Sequence, residues 1–204
     1  MKGAAQAGAA LLMSLCILIA VVLLGLSAAQ MALQGERAAR GERDRHIAFQ
    51  AAEEALMDAE NDIEGIPAMP GRSAMFAPDS ALGFVDGCGA GASSASLGLC
   101  LRAAEGLAPA WQTVDFSDDG ETTMKSVPMG KFTGAAMSTG EGFLPFKRPR
   151  YVIELLPYTQ EGEDAGPHQR YFYRVTAIGF GSNETTEVVL QSFYRKQPPH
   201  GEPQ

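Results

Sequence analysis

Charge is absent from the first part of this chain: between Lys2 and Glu36 there is no Asp, Glu, Lys, Arg or His. A stretch that long and that uncharged cannot be an ordinary surface helix, which needs a polar face. Histidine is scarce as well. His46, His168 and His200 stand alone, with no partner at metal-ligand spacing, which argues against a structural or catalytic metal. No serine sits in a nucleophile elbow, and Gly87-Cys88-Gly89-Ala90-Gly91 lacks the strand before and the helix after that a phosphate loop requires. An enzyme or a cofactor-binding protein is therefore not expected. Asp115, Ser117, Asp119 and Gly120 match the opening of a calcium loop, but the twelfth place is Ser126 rather than Glu, so the bidentate ligand is missing and a solvated acidic turn is the simpler reading.

The formal charge is -8 over 204 residues and is unevenly spread. Residues 1–46 hold five Lys/Arg and three Asp/Glu, a net of +2, which leaves -10 on residues 47–204. An acidic domain repels phosphate backbones, so nucleic acid is not an expected partner. Of three cysteines, Cys16 lies in the uncharged stretch and reads as a small apolar residue. Cys88 and Cys100 lie in the polar part, where an oxidising compartment lets them pair; two unpaired thiols are the alternative.

What the uncharged stretch does contain is a dense apolar run, Leu11 to Leu26, reading LLMSLCILIAVVLLGL. About 20 helical residues cross a ~30 Å hydrocarbon core, and Ala9 to Ala29 suffices. In lipid the backbone must satisfy itself, so the segment must be helical there. A secretory signal with cleavage after Ser27-Ala28-Ala29 is open, but helix-favouring composition continues without proline through Asp62. Phe49, Ala52, Leu56, Ala59 and Ile63 step by three and four and predict an apolar stripe for packing on a sheet. One helix from Ala9 to about Glu64 follows, roughly 80 Å at helical rise, ended by Gly65, Pro67 and Pro70. Arg37, Arg40, Arg43 and Arg45 follow the span while only Lys2 precedes it, which runs against the positive-inside bias for a cytoplasmic amino terminus.

Residues 65–149 are rich in Pro, Gly, Ser and Ala and predict loops, including a flexible one closed by Cys88 and Cys100; Trp111, the one tryptophan, is expected in the core. Then β-branched and aromatic residues take over in Arg150–Leu156, Tyr171–Gly179 and Thr185–Tyr194, three strands in succession that predict an antiparallel meander. Asn183-Glu184-Thr185 is formally a glycosylation sequon but reads as turn chemistry. The tail, 196–204, is too polar and proline-rich to pack and is expected to be disordered.

Several blocks carry a resemblance: the short amino-terminal MKGAAQAG ending in glycine before the hydrophobic helix, RDRHIAFQAAEEALMDAE (Arg43–Glu60), LGLC at Cys100, PRYVIELL (Pro149–Leu156) and the closing YRVTAIGFGSNETTEVVLQSFYR. On these the chain resembles type IV pilins, and more narrowly the PilX family of minor pilins. The resemblance implies an α+β, type IV pilin-like fold: leader 1–8, filament-core and transmembrane half of the helix 9–33, periplasmic half 34–64, and antiparallel sheet 150–195. It implies cleavage between Gly8 and Ala9 by prepilin peptidase on the cytoplasmic side, and single-pass insertion in the inner membrane with the domain in the periplasm. Assembly into an extracellular pilus would follow.

One residue departs from the pattern. Most pilins carry a glutamate at the fifth mature position, whose carboxylate pairs with a neighbour's terminal amine; here cleavage after Gly8 makes that residue Met13. Minor pilins at or near a filament tip share this lack. The resemblance thus implies a tip or priming role with other minor pilins, the major pilin and a tip adhesin as partners. A type II secretion tip pseudopilin, or a secreted or anchored protein with a conventional signal peptide, are the alternatives.

Overall fold

The structure, a computed structural model, describes residues 5–65, 72–158 and 170–196. Its first element, α1, runs from Ala5 to Glu64. Compact units divide at Arg43: one holds α1 up to that residue and the other everything from Asp44 on. In the first unit every described side chain from Ala9 to Arg43 is exposed, as expected where no other element of the unit is present to cover an apolar helix.

In the second unit α1 ends at Gly65, whose left-handed backbone (φ 77°) lets its N–H donate back to the Asn61 and Asp62 carbonyls at 2.9 and 3.2 Å. Lys196 Nζ donates to the Ile63 carbonyl at 2.7 Å, a cation where the helix dipole favours one. Short elements follow: a 3-10 turn Ser73–Phe76, β1 (Leu99–Leu101), α2 (Ala110–Thr113) and β2 (Val127–Pro128). Three long strands close the chain: β3 (Arg150–Tyr158), β4 (Arg170–Phe180) and β5 (Glu187–Tyr194).

The fold is α+β, with a five-stranded mixed sheet in the order β1-β3-β4-β5 and β2 paired on β3. The antiparallel meander β3-β4-β5 agrees with the sequence; β1, parallel to β3 with Leu99 opposite Ile153, was hidden in the loop-rich segment. A strand of three residues is too short to show a period of two. The GCGAGASSASLGLC stretch is also more ordered than a flexible loop, because Gly89 bridges Leu97 and Leu97 is fully buried.

Alternate residues of β3 and β4 (Tyr151, Ile153, Leu155; Tyr173, Val175, Ala177) share the main core with Ala55, Ala59 and Ile63 of α1. Phe76 and Phe84 cap it, packing on the Tyr173 ring at 5.6 and 6.0 Å. The opposite face has a smaller cluster of Cys88, Cys100, Ala110, Val114 and Val152. Trp111 packs half-buried on that cluster rather than in the main core.

Candidate assembly surfaces

Two surfaces in this molecule are built for contact, one in each unit. The first is the exposed helix. Its most apolar eighteen-residue window has a mean hydropathy of 2.9, long and apolar enough by length and composition to cross a membrane. Its hydroxyls are consumed locally: Ser14 donates to the Leu11 carbonyl and Ser27 to the Leu23 carbonyl, both at 2.9 Å. These side chains can therefore enter lipid, or a bundle of like helices, without a stranded polar hydrogen. Gly8 and Ala9 are helical backbone within α1, and Met13 is exposed on it beside Leu11 and Leu12. Cys16 is a free, exposed thiol.

The second surface is the seam between the later half of α1 and the sheet, which fixes what the domain presents outward. Small residues line it. Ala48, Ala52, Ala55 and Ala59 are fully buried and Ala51 nearly so. Gly179 in β4 faces them, and a Cβ there would meet the Ala48 carbonyl oxygen at 2.0 Å and the Ala52 nitrogen at 2.4 Å. Glycine at 179 is thus what lets helix backbone lie directly on strand backbone.

Of the residues expected at this seam, Ala52, Ala59 and Ile63 are fully buried and Leu56 is half-buried against the core, whereas Phe49 is 40% exposed. The buried line runs one residue to the side of Phe49, through Ala48. Alanines carry it because the helix lies too close to the sheet for a phenyl ring.

Three aspartates on the same inward side of α1 each hold a separate loop. Asp44 accepts from the Ser182 amide and hydroxyl at 2.6 Å each, and from the Asn183 amide and side chain at 3.2 and 2.9 Å. Burial alone would raise its pKa, but those donors, with Thr186, outweigh it and hold the carboxyl well below the usual range. Asp58 accepts from the Gly130 amide at 2.8 Å and from the Thr133 hydroxyl. There burial wins, helped by the neighbouring Asp62 charge, and its pKa is raised.

Asp62 pairs with buried Arg72, whose Nε and Nη2 donate to it at 2.9–3.0 Å and whose Nη1 donates to the Leu97 carbonyl at 3.1 Å. The guanidinium lies 3.5 Å from the centre of the Phe132 ring, and the Tyr151 hydroxyl completes Asp62 at 3.0 Å. Burial first, and the Asp62 charge second, push the Tyr151 pKa well up.

Sequence periodicity missed all three, since an apolar stripe is sought by omitting charge. Asp58 in particular reads as off the stripe. The signal available was an acid repeating at helical spacing among alanines.

Cys88 and Cys100 form a disulfide that joins the 88–100 loop to β1. In the calcium-like segment the Asp115 carboxylate accepts from the Ser117 amide at 2.7 Å, as in an Asx turn. Asp119 is paired with Arg150 at 2.6 Å and lies 3.8 Å from Lys147, while Ser126 hydrogen-bonds Arg150 at 3.2 Å. The acids there face cationic side chains. Among the described residues no group of three or more His, Cys, Asp or Glu is placed to hold a metal. Asn183 of the sequon serves the Asp44 turn. His168, His200 and residues 197–204 lie outside the described residues.

An amino-terminal helix whose second half packs through small residues on a mixed sheet, with an uncharged first half, is the layout of a type IV pilin-like subunit. Comparison with known families narrows this. Residues 7–56 match the PilX N-terminal family model and residues 96–196 match that described as type IV pilus assembly protein PilX C-term; the chain belongs to the PilX family of type IV pilus minor pilins. No curated protein and no solved structure matches it.

Proposed function

We propose that this subunit primes pilus assembly and sits at or near the filament tip, with other minor pilins, the major pilin and a tip adhesin as partners. The observation that carries the reading is the helix from Ala9 to Gly35, wholly exposed, free of charge, and holding Met13 where most pilins hold glutamate. A lone carboxylate in lipid is costly unless paired. With methionine, both that cost and the attraction for a neighbour's terminal amine are gone, so this subunit can start a stack more readily than it can be recruited into one.

Prepilin peptidase would cut between Gly8 and Ala9. The helix would then hold the subunit in the inner membrane, with its domain in the periplasm, until assembly. At that step the apolar helix exchanges lipid neighbours for helix neighbours. Both surroundings are apolar, so close packing rather than dehydration favours association.

The test is the mature amino-terminal residue with and without prepilin peptidase, together with surface piliation in a deletion strain. Ala9 as the mature terminus only when the peptidase is present, and reduced piliation and twitching in the deletion strain, are expected. A terminus at Gln30 would instead support a conventional signal peptide, and normal piliation would remove the priming role. Loss of type II secretion with intact pili would assign the subunit to the secretion pseudopilus.

A further inference from the structure

Directly after the uncharged run that ends at Gly35, α1 carries Arg37, Arg40 and Arg43, all exposed in the first unit. Their placement opposes the positive-inside bias for a cytoplasmic amino terminus, so something on the far side of the span has to offset it. The three step by three residues. At 3.6 residues per turn they follow one side of the helix, spread over about 120° and about 9 Å of its length.

The acids nearby leave that row net positive. Glu42 lies on the other side of the helix, about 200° round from Arg40. Glu36 pairs with Arg40 one turn away. Asp44, the next acid, is buried and taken up by Ser182 and Asn183. The remainder of the chain has the opposite sign, -10 on residues 47–204. An anionic bilayer repels that domain, so any attraction to such a surface has to come from the row.

Covalent geometry sets the height of the row. Leu33 is the last large apolar side chain of the run. At about 1.5 Å per residue Arg37 lies about 6 Å beyond it, Arg40 about 10 Å and Arg43 about 15 Å. With Leu33 at the hydrocarbon edge, the headgroup layer occupies about the next 5–7 Å. Helical side chains lean toward the helix amino terminus, here toward the membrane, and arginine stems are long enough to carry the guanidinium back into that layer. A guanidinium also matches phosphate with two parallel hydrogen bonds. The acidic domain of a second copy would attract arginine too, but only the bilayer presents its anions at this height by construction.

We propose that Arg37, Arg40 and Arg43 form a collar that binds the phosphates of anionic phospholipids in the leaflet where α1 leaves the membrane. The collar fixes the depth of the unassembled subunit and is given up when the helix leaves lipid. This rests on the reading that α1 crosses a membrane, and not on the tip or priming role.

The experiment places the full chain in vesicles of phosphatidylcholine alone, or of equal parts phosphatidylcholine and phosphatidylglycerol, and follows amide hydrogen exchange. Residues 9–33 are expected to be protected in both, which reports insertion. Exchange at 36–43 is expected to slow about five-fold or more with phosphatidylglycerol, and the effect to vanish in high salt. The triple variant Arg37→Gln, Arg40→Gln, Arg43→Gln should lose the difference, while Glu36→Gln, which frees Arg40, should enlarge it. Equal exchange at 36–43 in the two vesicles, with 9–33 protected, overturns the collar and leaves the membrane reading standing. Exposed amides at 9–33 overturn the membrane reading and the collar with it. Slowing at 36–43 in phosphatidylcholine that grows with protein concentration assigns the row to a second copy's acidic domain and also overturns the proposal.

Discussion

Residues 5–43 and 44–196 solve the problem of ordering a chain in opposite ways. The first region has no tertiary partner within its own unit, and everything it needs is local: helix-favouring composition, hydroxyls bonded to their own backbone, and an exposed i,i+4 ion pair between Glu36 and Arg40. The second is held by contacts between residues far apart in sequence, with Asp62, Arg72, Leu97 and Tyr151 meeting at one buried point. A helix with no partner in its own unit keeps its surface generic, whereas the domain spends charge on fixing one arrangement.

That contrast can be broken most severely at the buried pair. Arg72→Ala leaves Asp62 charged, buried and without its cation, and is expected to cost about 3–5 kcal/mol. Urea unfolding of the full chain in micelles, followed by Trp111 fluorescence, reads it while helical circular dichroism reports on the first region. A loss under about 1 kcal/mol would mean that the pair is idle. Reducing Cys88–Cys100 should destabilise the domain by about 3 kcal/mol, since the loop is then open in the unfolded chain, and the same titration with reductant measures it.

Gly179→Ala drives a methyl into the Ala48 carbonyl and should cost about 1–3 kcal/mol. Gly35→Ala, where nothing lies within 4 Å, should leave domain unfolding unchanged, so a similar cost at both sites would sink the close-packing account.

Asp44 sharpens the comparison through pH. Its folded pKa is depressed below the ordinary 3.8, so its stabilisation is fully present above that value and is lost as pH falls toward the folded value. Between pH 5 and pH 3 this amounts to about 1 kcal/mol, set by the unfolded-state titration. Asp58 has the opposite sign: its raised pKa means that stability is gained as pH falls through it. Melting temperature against pH for the wild type and Asp44→Asn should therefore converge below about pH 4; parallel curves would remove Asp44 from the acid response. The smallest effect on stability belongs to Met13→Glu, within about 0.5 kcal/mol for the domain. Its expected consequence is instead in filament incorporation, scored by labelling subunits along pili rather than at their ends.

Legibility followed the same divide. The uncharged run, the helix end at Gly65 and the three long strands were readable because each is written in neighbouring residues. Strand β1 was too short to show a period. Phe49 looked like core because hydrophobicity was counted without knowing how closely the helix approaches the sheet, and that distance depends on Gly179, 130 positions later.

By itself, then, the amino-acid order determined an apolar membrane-length helix, an acidic domain ending in an antiparallel meander, and the family resemblance, all through composition and short-range period. Only the tertiary structure decided which helix face is buried and which aspartates are paired. Those outcomes depend on backbone approach and on partners tens of residues apart, and no local pattern of side chains encodes a distance.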